Sequence, residues 1–367
     1  MELGLSQEQQ MLRDSVSRYL EKAYDFDARQ ALVASDAAWS DDAWAQFAQL
    51  GLMALPFPEE RGGLGGSISD CVAFAESFGK HLVIEPYIAS TMCAGAALAA
   101  SEKPVAQEWI EKLAAGEAVA AFGYEEGRGT STPDTIAMSA KRGQHGYLLS
   151  GEKRLVIGGA EADVLVVAAR IEGRDAVGLF MVAPDAQGLE SRTYTTIDGR
   201  SAADMRFSEV AVTDDAVLHD NALEPLKAVL ANAMIVQSAE AVGAMGALLN
   251  ITGEYAMTRK QFGKPIAIFQ AVAHRLADMK IAYTKAYSTL TYTTALAAEC
   301  AASARDIAVL KGQVGKLGRE LGEAAIQTHG GVGLTDELSV GHYHKRILAF
   351  DAQFGDHAYH LRTLGQR

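Results

Sequence analysis

Three cysteines in 367 residues, Cys71, Cys93 and Cys300, form no C-x-x-C pair and no zinc-ligand spacing, so neither a disulfide framework nor a structural metal is expected. That usage suits a reducing compartment, and a cytoplasmic location is the expectation. Cations are also scarce. With 33 Lys and Arg against 46 Asp and Glu, the formal charge is −13. A general affinity for nucleic acid, which needs a cationic face, is therefore excluded, and an anionic ligand needs a local cluster of basic residues. The opening MELGLSQEQQ lacks a basic n-region and an apolar h-region, and no window holds 18 uninterrupted apolar residues, so no signal peptide or membrane span is expected. The alanine-rich stretch from Tyr87 to Ala100 is too short and too polar to span and reads as a core helix.

What is present is a chain of ordinary globular composition, 49% hydrophobic and 22% charged, long enough for two or three domains. Ser6-x-x-Gln9 has the form of a capping box, and Met11, Leu12, Val16 and Leu20 follow at helical spacing. Trp44, Phe47, Ala48 and Leu50 continue that period until the Pro- and Gly-rich stretch from Pro56 to Gly66 breaks it, and helix resumes from Ile68 to about Ala115. The runs Val164–Ala169, Val177–Val182 and Met205–Val212 are β-branched and separated by turn residues, which predicts strands. From about Leu223 helix returns, with Ile307, Leu310, Val314, Leu317 and Leu321 on one face. The expected organisation is mostly α with a central β domain: a helical domain at 1–117, a β domain at 118–222 and a helical domain at 223–367.

Two glycine-containing segments carry potential chemistry. Arg259-Lys260-Gln261-Phe262-Gly263-Lys264-Pro265 reads most simply as a helix stop, with a basic last turn, a glycine and then a proline. Gln327-Thr328-His329-Gly330-Gly331-Val332-Gly333 ends another amphipathic helix, and its glycines allow positive φ and a close backbone approach to a phosphate or ribose.

Together, in this order and this helical–β–helical setting, these segments resemble the acyl-CoA dehydrogenase family over essentially the whole chain. LSQEQQMLRDSV is similar to the family's opening helix, LGLMALPFPEERGGLGGS to its Pro-Glu…Gly-Gly stretch, and LLSGEKRLVIGGAEADVLVV to its Asn-Gly-x-Lys-x-Trp-Ile-Thr-Asn strand pair. FSEVAVTDDAVL resembles the strand leaving the β domain, RKQFGKPIAIFQAVAHRLADM the Arg-x-x-Phe-Gly…Gln motif, and IQTHGGVGL the Gln-x-x-Gly-Gly-x-Gly motif. The resemblance implies an N-terminal helical domain, a middle β-barrel, a C-terminal four-helix bundle, FAD as cofactor and an acyl-CoA thioester as substrate. It also implies an oligomer built through the bundle and, commonly, an electron-transferring flavoprotein as acceptor. It assigns Arg259, Phe262 and Gln270, with Gln327, Gly330 and Gly331, to the pyrophosphate and adenosine of a neighbouring subunit's FAD. A guanidinium fork suits a pyrophosphate, and a phenyl ring packs on ring systems.

The departures from the family fall where flavin chemistry happens. The Trp and Thr that flank the isoalloxazine correspond to Leu155 and Ile157, which donate no side-chain hydrogen bond. The loop that holds the flavin pyrimidine edge corresponds to Gly123-Tyr124-Glu125-Glu126-Gly127-Arg128-Gly129-Thr130, with its order of side chains lost. The reaction needs a carboxylate to take the α-proton of the thioester. One family position for it falls on Phe354, 27 residues after Gln327, and the other on Ala233, 26 residues before Arg259. Asp356, with Asp351, is the candidate for a displaced base.

Within the family, Thr335–Arg346 and Phe354-Gly355-Asp356 are most similar to the small, non-catalytic subunits of heteromeric bacterial enzymes, such as that of pimeloyl-CoA dehydrogenase. The reading they imply is a β subunit of an α2β2 enzyme that completes a catalytic partner's FAD site. The alternatives are a self-sufficient homotetramer, a flavin-free interaction subunit, and a flavin monooxygenase of the same fold. His342-x-His344 and the His357/His360 pair lack a third ligand of diagnostic spacing and read as incidental. Glu240, inside an apolar helix, reads as a structural hydrogen-bonding group.

Overall fold

The structure, a computed structural model, describes residues 4–127 and 132–365. Helices α1 (Gln7–Ala23), α2 (Phe26–Val33), α3 (Asp41–Gln49) and α4 (Ile68–His81) open the chain. A π-helical segment, Ile88–Gly95, then runs into α5 (Ala96–Ala99), and α6 (Pro104–Ala115) follows. The predicted capping box is in place: the Ser6 hydroxyl accepts from the Gln9 amide at 3.1 Å while the Gln9 side chain accepts from the Ser6 N–H at 2.9 Å. Helix α6 begins with Pro104 and stops at Gly116 in the left-handed region, the usual asymmetry of helix ends.

Strands β1 (Ala120–Gly123), β2 (Ser139–Arg142), β3 (Gly146–Ile157), β4 (Val164–Ile171), β5 (Val177–Val182), β6 (Leu189–Thr195), β7 (Ser201–Thr213) and β8 (Val217–His219) make one sheet. Its order is β6-β7-β3-β2-β4-β5-β8, with β1 parallel to β4. This ladder runs from β6 to β8 with β1 as a side branch on β4, and it makes the central β domain that was expected. Inward residues Leu149, Leu165, Val167, Phe180, Ala203 and Val210 form its dry core.

Helix α7 (Leu223–Thr258) starts where helix was expected to return, and it leads into the short strands β9 (Lys260–Gln261) and β10 (Lys264–Pro265). Helices α8 (Gln270–Ala298), α9 (Ala304–His329), α10 (Ser339–Ala352) and α11 (His357–Gly365) complete the chain. Among the described residues α7 alone is long and apolar enough to cross a membrane, although 61% of its apolar window is buried inside the protein. It behaves as a core helix.

The chain forms two compact units: 1–31, 68–83 and 234–367 in one, 32–67 and 84–233 in the other. In the first, α4 and α7 cross at backbone contact. A Cβ on Gly79 would lie 1.7 Å from the Glu240 carbonyl oxygen, and one on Gly243 2.0 Å from that of Glu76. Beside this crossing the carboxylate of Glu240 accepts from the buried Arg346, whose other nitrogen donates to the Leu82 carbonyl at 3.3 Å. In the second, Ser101 Oγ donates to the Leu218 carbonyl at 3.0 Å and Ser90 Oγ accepts from the Ala120 N–H at 3.0 Å, which ties the N-terminal helices of that unit to the sheet.

Candidate functional site

Helix α7 does stop where Arg259-Lys260-Gln261-Phe262-Gly263-Lys264-Pro265 suggested, but the segment is more than a helix end. Helix α7 ends at Thr258, and the next residues fold into a two-residue hairpin in which Gln261 pairs with Lys264. Phe262 and Gly263 at its tip have φ of 53° and 76°. Positive φ at both central residues is the type I′ geometry that matches the twist of a tight hairpin. Glycine takes that conformation freely, whereas for phenylalanine the left-handed region costs about 1–2 kcal/mol. The strained residue leaves its ring 91% exposed, touching Phe269 edge-on at 6.1 Å. Arg259, Lys260 and Lys264 are exposed around it, which supplies the local cation cluster that a chain of charge −13 needs for an anionic ligand.

The second segment meets the first at one end of the helical unit. Helices α8 and α9 pack along each other and are joined by residues 299–303, so the start of α8, with Gln270 exposed at its first residue, lies beside the end of α9, with Gln327 exposed in its last turn. Tyr255, one turn before Arg259, stacks on His329 with ring centroids 4.3 Å apart and planes 24° from parallel. Beyond His329 the chain turns through Gly330 at φ 70°, ψ −149°, a conformation close to glycine-only. A Cβ placed on Gly330 or Gly331 would meet nothing within 4 Å, so both peptides are open to a ligand. The six predicted cofactor residues, Arg259, Phe262, Gln270, Gln327, Gly330 and Gly331, are thus exposed at a common end. A guanidinium, two carboxamides, an aromatic ring and unobstructed backbone N–H groups fit the pyrophosphate and adenosine of a dinucleotide.

The family's isoalloxazine side is different. Strand β3 bulges between Lys153 and Val156 and puts Leu155 at φ 53°. The Leu155 N–H is taken by Asp204 Oδ1 at 3.2 Å, and the same oxygen accepts from the Tyr194 hydroxyl at 3.1 Å. Leu155 and Ile157 are half-buried hydrocarbon. Of the corresponding loop, Gly123–Gly127 is described and Arg128, Gly129 and Thr130 lie outside the described residues. Glu126 is held rather than free: it pairs with the fully buried Lys153 and accepts from the N–H groups of Ala137 at 2.6 Å and Met138 at 3.0 Å. Burial pulls the Lys153 ammonium down to about 8 against the opposing attraction of Glu126. This pair was not foreseen, because a lysine in a strand reads as solvent-facing.

Neither family position for the base carries an acid. Ala233 is fully buried in α7. Phe354, half-buried at φ 55°, sits in a turn between α10 and α11 that is tied down from several sides. The buried Lys311 of α9 donates to the carbonyls of Phe350 at 2.8 Å, Asp351 at 3.1 Å and Gly355 at 3.1 Å, and His360 Nε2 donates to that of Phe354 at 3.0 Å. Gln237 donates to Gln353. Asp356 accepts from the Tyr359 N–H at 2.7 Å, capping α11, and Asp351 accepts from His357 Nδ1 at 2.7 Å and from its N–H at 2.9 Å. Both candidate displaced bases therefore have structural partners. Lys311 and Gln327 are 16 residues apart on α9, roughly 24 Å at 1.5 Å per residue, so the tied turn and the exposed clamp lie near opposite ends of that helix.

The His342-x-His344 pair is held locally. His342 Nε2 donates to the Asp336 carbonyl at 3.1 Å, His344 packs against Gly322, and no cluster of three or more His, Cys, Asp or Glu among the described residues is arranged to hold a metal.

Comparison with known proteins matches this architecture throughout. Residues 6–117, 121–210 and 226–367 match the family models described as acyl-CoA dehydrogenase N-terminal, middle and C-terminal domains. Acyl-CoA dehydrogenase IpdE2 of Mycobacterium tuberculosis is 30% identical over 352 residues, covering 93% of this chain and 91% of the relative. The ChsE4–ChsE5 complex from Mycobacterium tuberculosis superposes with a TM-score of 0.91 at 24% identity over 100% of this chain and 98% of the other. PigA with FAD and proline gives a TM-score of 0.89 at 22% identity, over 100% and 98%. Those two likenesses concern the fold. With three consecutive family domains and a full-length relative at that identity, the chain belongs to the acyl-CoA dehydrogenase family, whose cofactor is FAD.

Proposed function

We propose that this chain is the base-lacking β subunit of an α2β2 acyl-CoA dehydrogenase and that it completes the FAD site of a catalytic partner subunit. The observation that carries the reading is a separation: residues suited to grip a cofactor's pyrophosphate and adenosine are exposed at one end of α9, while the turn that holds a base elsewhere in the family carries Phe354 near the other end. Selection for an own active site would keep both; service to a neighbour's site needs only the first. The apolar Leu155 and Ile157 and the buried Ala233 agree with this division. The similar fold in the ChsE4–ChsE5 complex, an assembly of two different components, is a precedent for such pairing.

In this arrangement Arg259 pairs with the pyrophosphate, Gln270 and Gln327 hydrogen-bond the adenosine portion, and the open peptides at Gly330 and Gly331 let it approach closely. Phe262 packs on its ring systems and excludes water. FAD, when bound, supplies the hydride acceptor for the β-carbon of the thioester; the α-proton is taken by a carboxylate of the partner. An acceptor such as an electron-transferring flavoprotein would take up the electrons.

Co-purification with the partner tests the reading. The expected assembly is yellow and holds about half an FAD per chain, because a clamp residue contributes one charge-assisted contact without creating a second site. In the same assembly Arg259→Ala should weaken FAD binding by about one to two decades, and Arg259→Lys should recover part of the loss because an ammonium makes no bidentate contact. One FAD per chain, or FAD affinity indifferent to Arg259, contradicts it.

A further inference from the structure

The hairpin of Arg259 and the glycine turn of Gly330 must present their groups to one ligand, yet among the described residues no hydrogen bond joins residues 259–269 to residues 330–334. We propose that the stacked pair Tyr255–His329 is what holds them in register, so that both are positioning residues for the cofactor clamp. The inference rests on the reading above. Tyr255 touches both sides of the problem. Its carbonyl accepts the N–H of Arg259 at 2.8 Å, so the backbone that launches the guanidinium is anchored on Tyr255. Its hydroxyl reaches the His329 carbonyl at 3.4 Å, a long contact on the peptide that leads directly into Gly330.

His329 is fixed from beneath. It is 5% exposed, and its Nδ1 lies 3.0 Å from the Ala325 carbonyl one turn earlier. A carbonyl only accepts, so Nδ1 carries the proton and the ring cannot flip without losing that bond. The imidazole is thus a rigid platform at the last residue of α9, and the tyrosine ring lying over it sets the spacing between the end of α7 and the end of α9. Neither side chain is needed to touch the cofactor.

A double-mutant cycle separates positioning from plain stability. FAD is titrated into the flavin-free assembly, as purified with its partner, and followed by flavin fluorescence, with thermal unfolding recorded in parallel. Tyr255→Leu, which keeps bulk and loses the stack, should weaken FAD binding by about five- to tenfold, and Tyr255→Phe, which keeps the ring, by no more than about twofold. In an Arg259→Ala background Tyr255→Leu should have almost no further effect, because a misplaced guanidinium and a missing one are equivalent. Should Tyr255→Leu fail to fold, His329→Leu is read in the same way, with His329→Phe as the ring-keeping control. Unchanged affinity in the leucine variants, or the same loss with and without Arg259, overturns the positioning role. If instead Arg259→Ala alone leaves FAD affinity intact, it is the clamp reading that fails.

Discussion

Phe262 shows how a single residue can be costly to the fold and useful beyond it. A left-handed phenylalanine with its ring 91% exposed contributes strain and little burial, so the isolated chain has no reason of its own to keep it. Asparagine tolerates that conformation. Phe262→Asn should therefore leave the thermal midpoint of the flavin-free protein unchanged or raise it, by up to about 1 kcal/mol of stability, while weakening FAD binding in the assembled enzyme. A fall in apo stability with unchanged FAD affinity would make Phe262 a folding residue. The hairpin was hard to read from sequence for a physical reason. Two-residue strands leave no alternation to detect, and Arg-Lys before Phe-Gly-Lys-Pro satisfies the rules for a helix end as well as those for a turn. The six proposed clamp residues were singled out only through their resemblance to a family motif, and the stacking of Tyr255 on His329 beside them is a contact that no spacing rule reveals.

At the scale of elements, α9 presents two faces, and the sequence exposed only one. Its apolar period marked Ile307, Leu310, Val314 and Leu321 correctly as buried, whereas Leu317 is half-buried. The adjoining run Gly315, Gly318 and Gly322 sits against Asp351, Ile347 and His344 of α10, where an added Cβ would come within 2.2, 2.7 and 2.0 Å of those side chains. Glycines count as helix breakers in a propensity reading; here they bring α10 close enough for Lys311 to cap its last carbonyls. Gly315→Ala should displace Asp351 from His357 and lower stability by roughly 1–3 kcal/mol, the range for overpacking.

Two desolvated ionisable groups in the same helical unit, the buried His360 and the half-buried Glu76, give opposite pH dependences. Burial pushes His360 down to about 4, so between about 4 and its ordinary 6.5 the unfolded chain binds the proton more readily, and stability is lost as pH falls through this window. Burial pushes the Glu76 carboxyl up to about 7 from its ordinary 4.5, so there the folded chain holds the proton, and stability is lost as pH rises through 4.5 to 7. Denaturant unfolding at several pH values should show His360→Gln less sensitive to acid than the parent, and Glu76→Gln less sensitive to the rise toward neutrality. Slopes that do not change in these variants would remove the assignment. The Glu240–Arg346 pair is a separate test of the helical unit's core: losing either partner strands a buried charge, and Arg346→Met should cost about 3–5 kcal/mol in the same measurement.

For the whole molecule, the order helix, sheet, helix was evident from periodicity, since amphipathic helices and β-branched strands differ in repeat, and α7 starts at Leu223, close to where helical spacing resumes. The compact units were not evident, because α4 meets α7 at Gly79 and Gly243 while α1 packs on α4, contacts that carry no sequence period. The proposed function also belongs to this scale: on that reading clamp and vacant base position serve different active centres, and the chain alone is not a catalyst. Turnover of the purified chain without its partner, supplied with FAD, a series of acyl-CoA thioesters and an artificial electron acceptor, measures this directly. The account predicts no turnover above background from the lone chain and activity on adding the partner. Dehydrogenation by the lone chain at the ordinary enzymatic rate of about 1 s⁻¹ or more would contradict it.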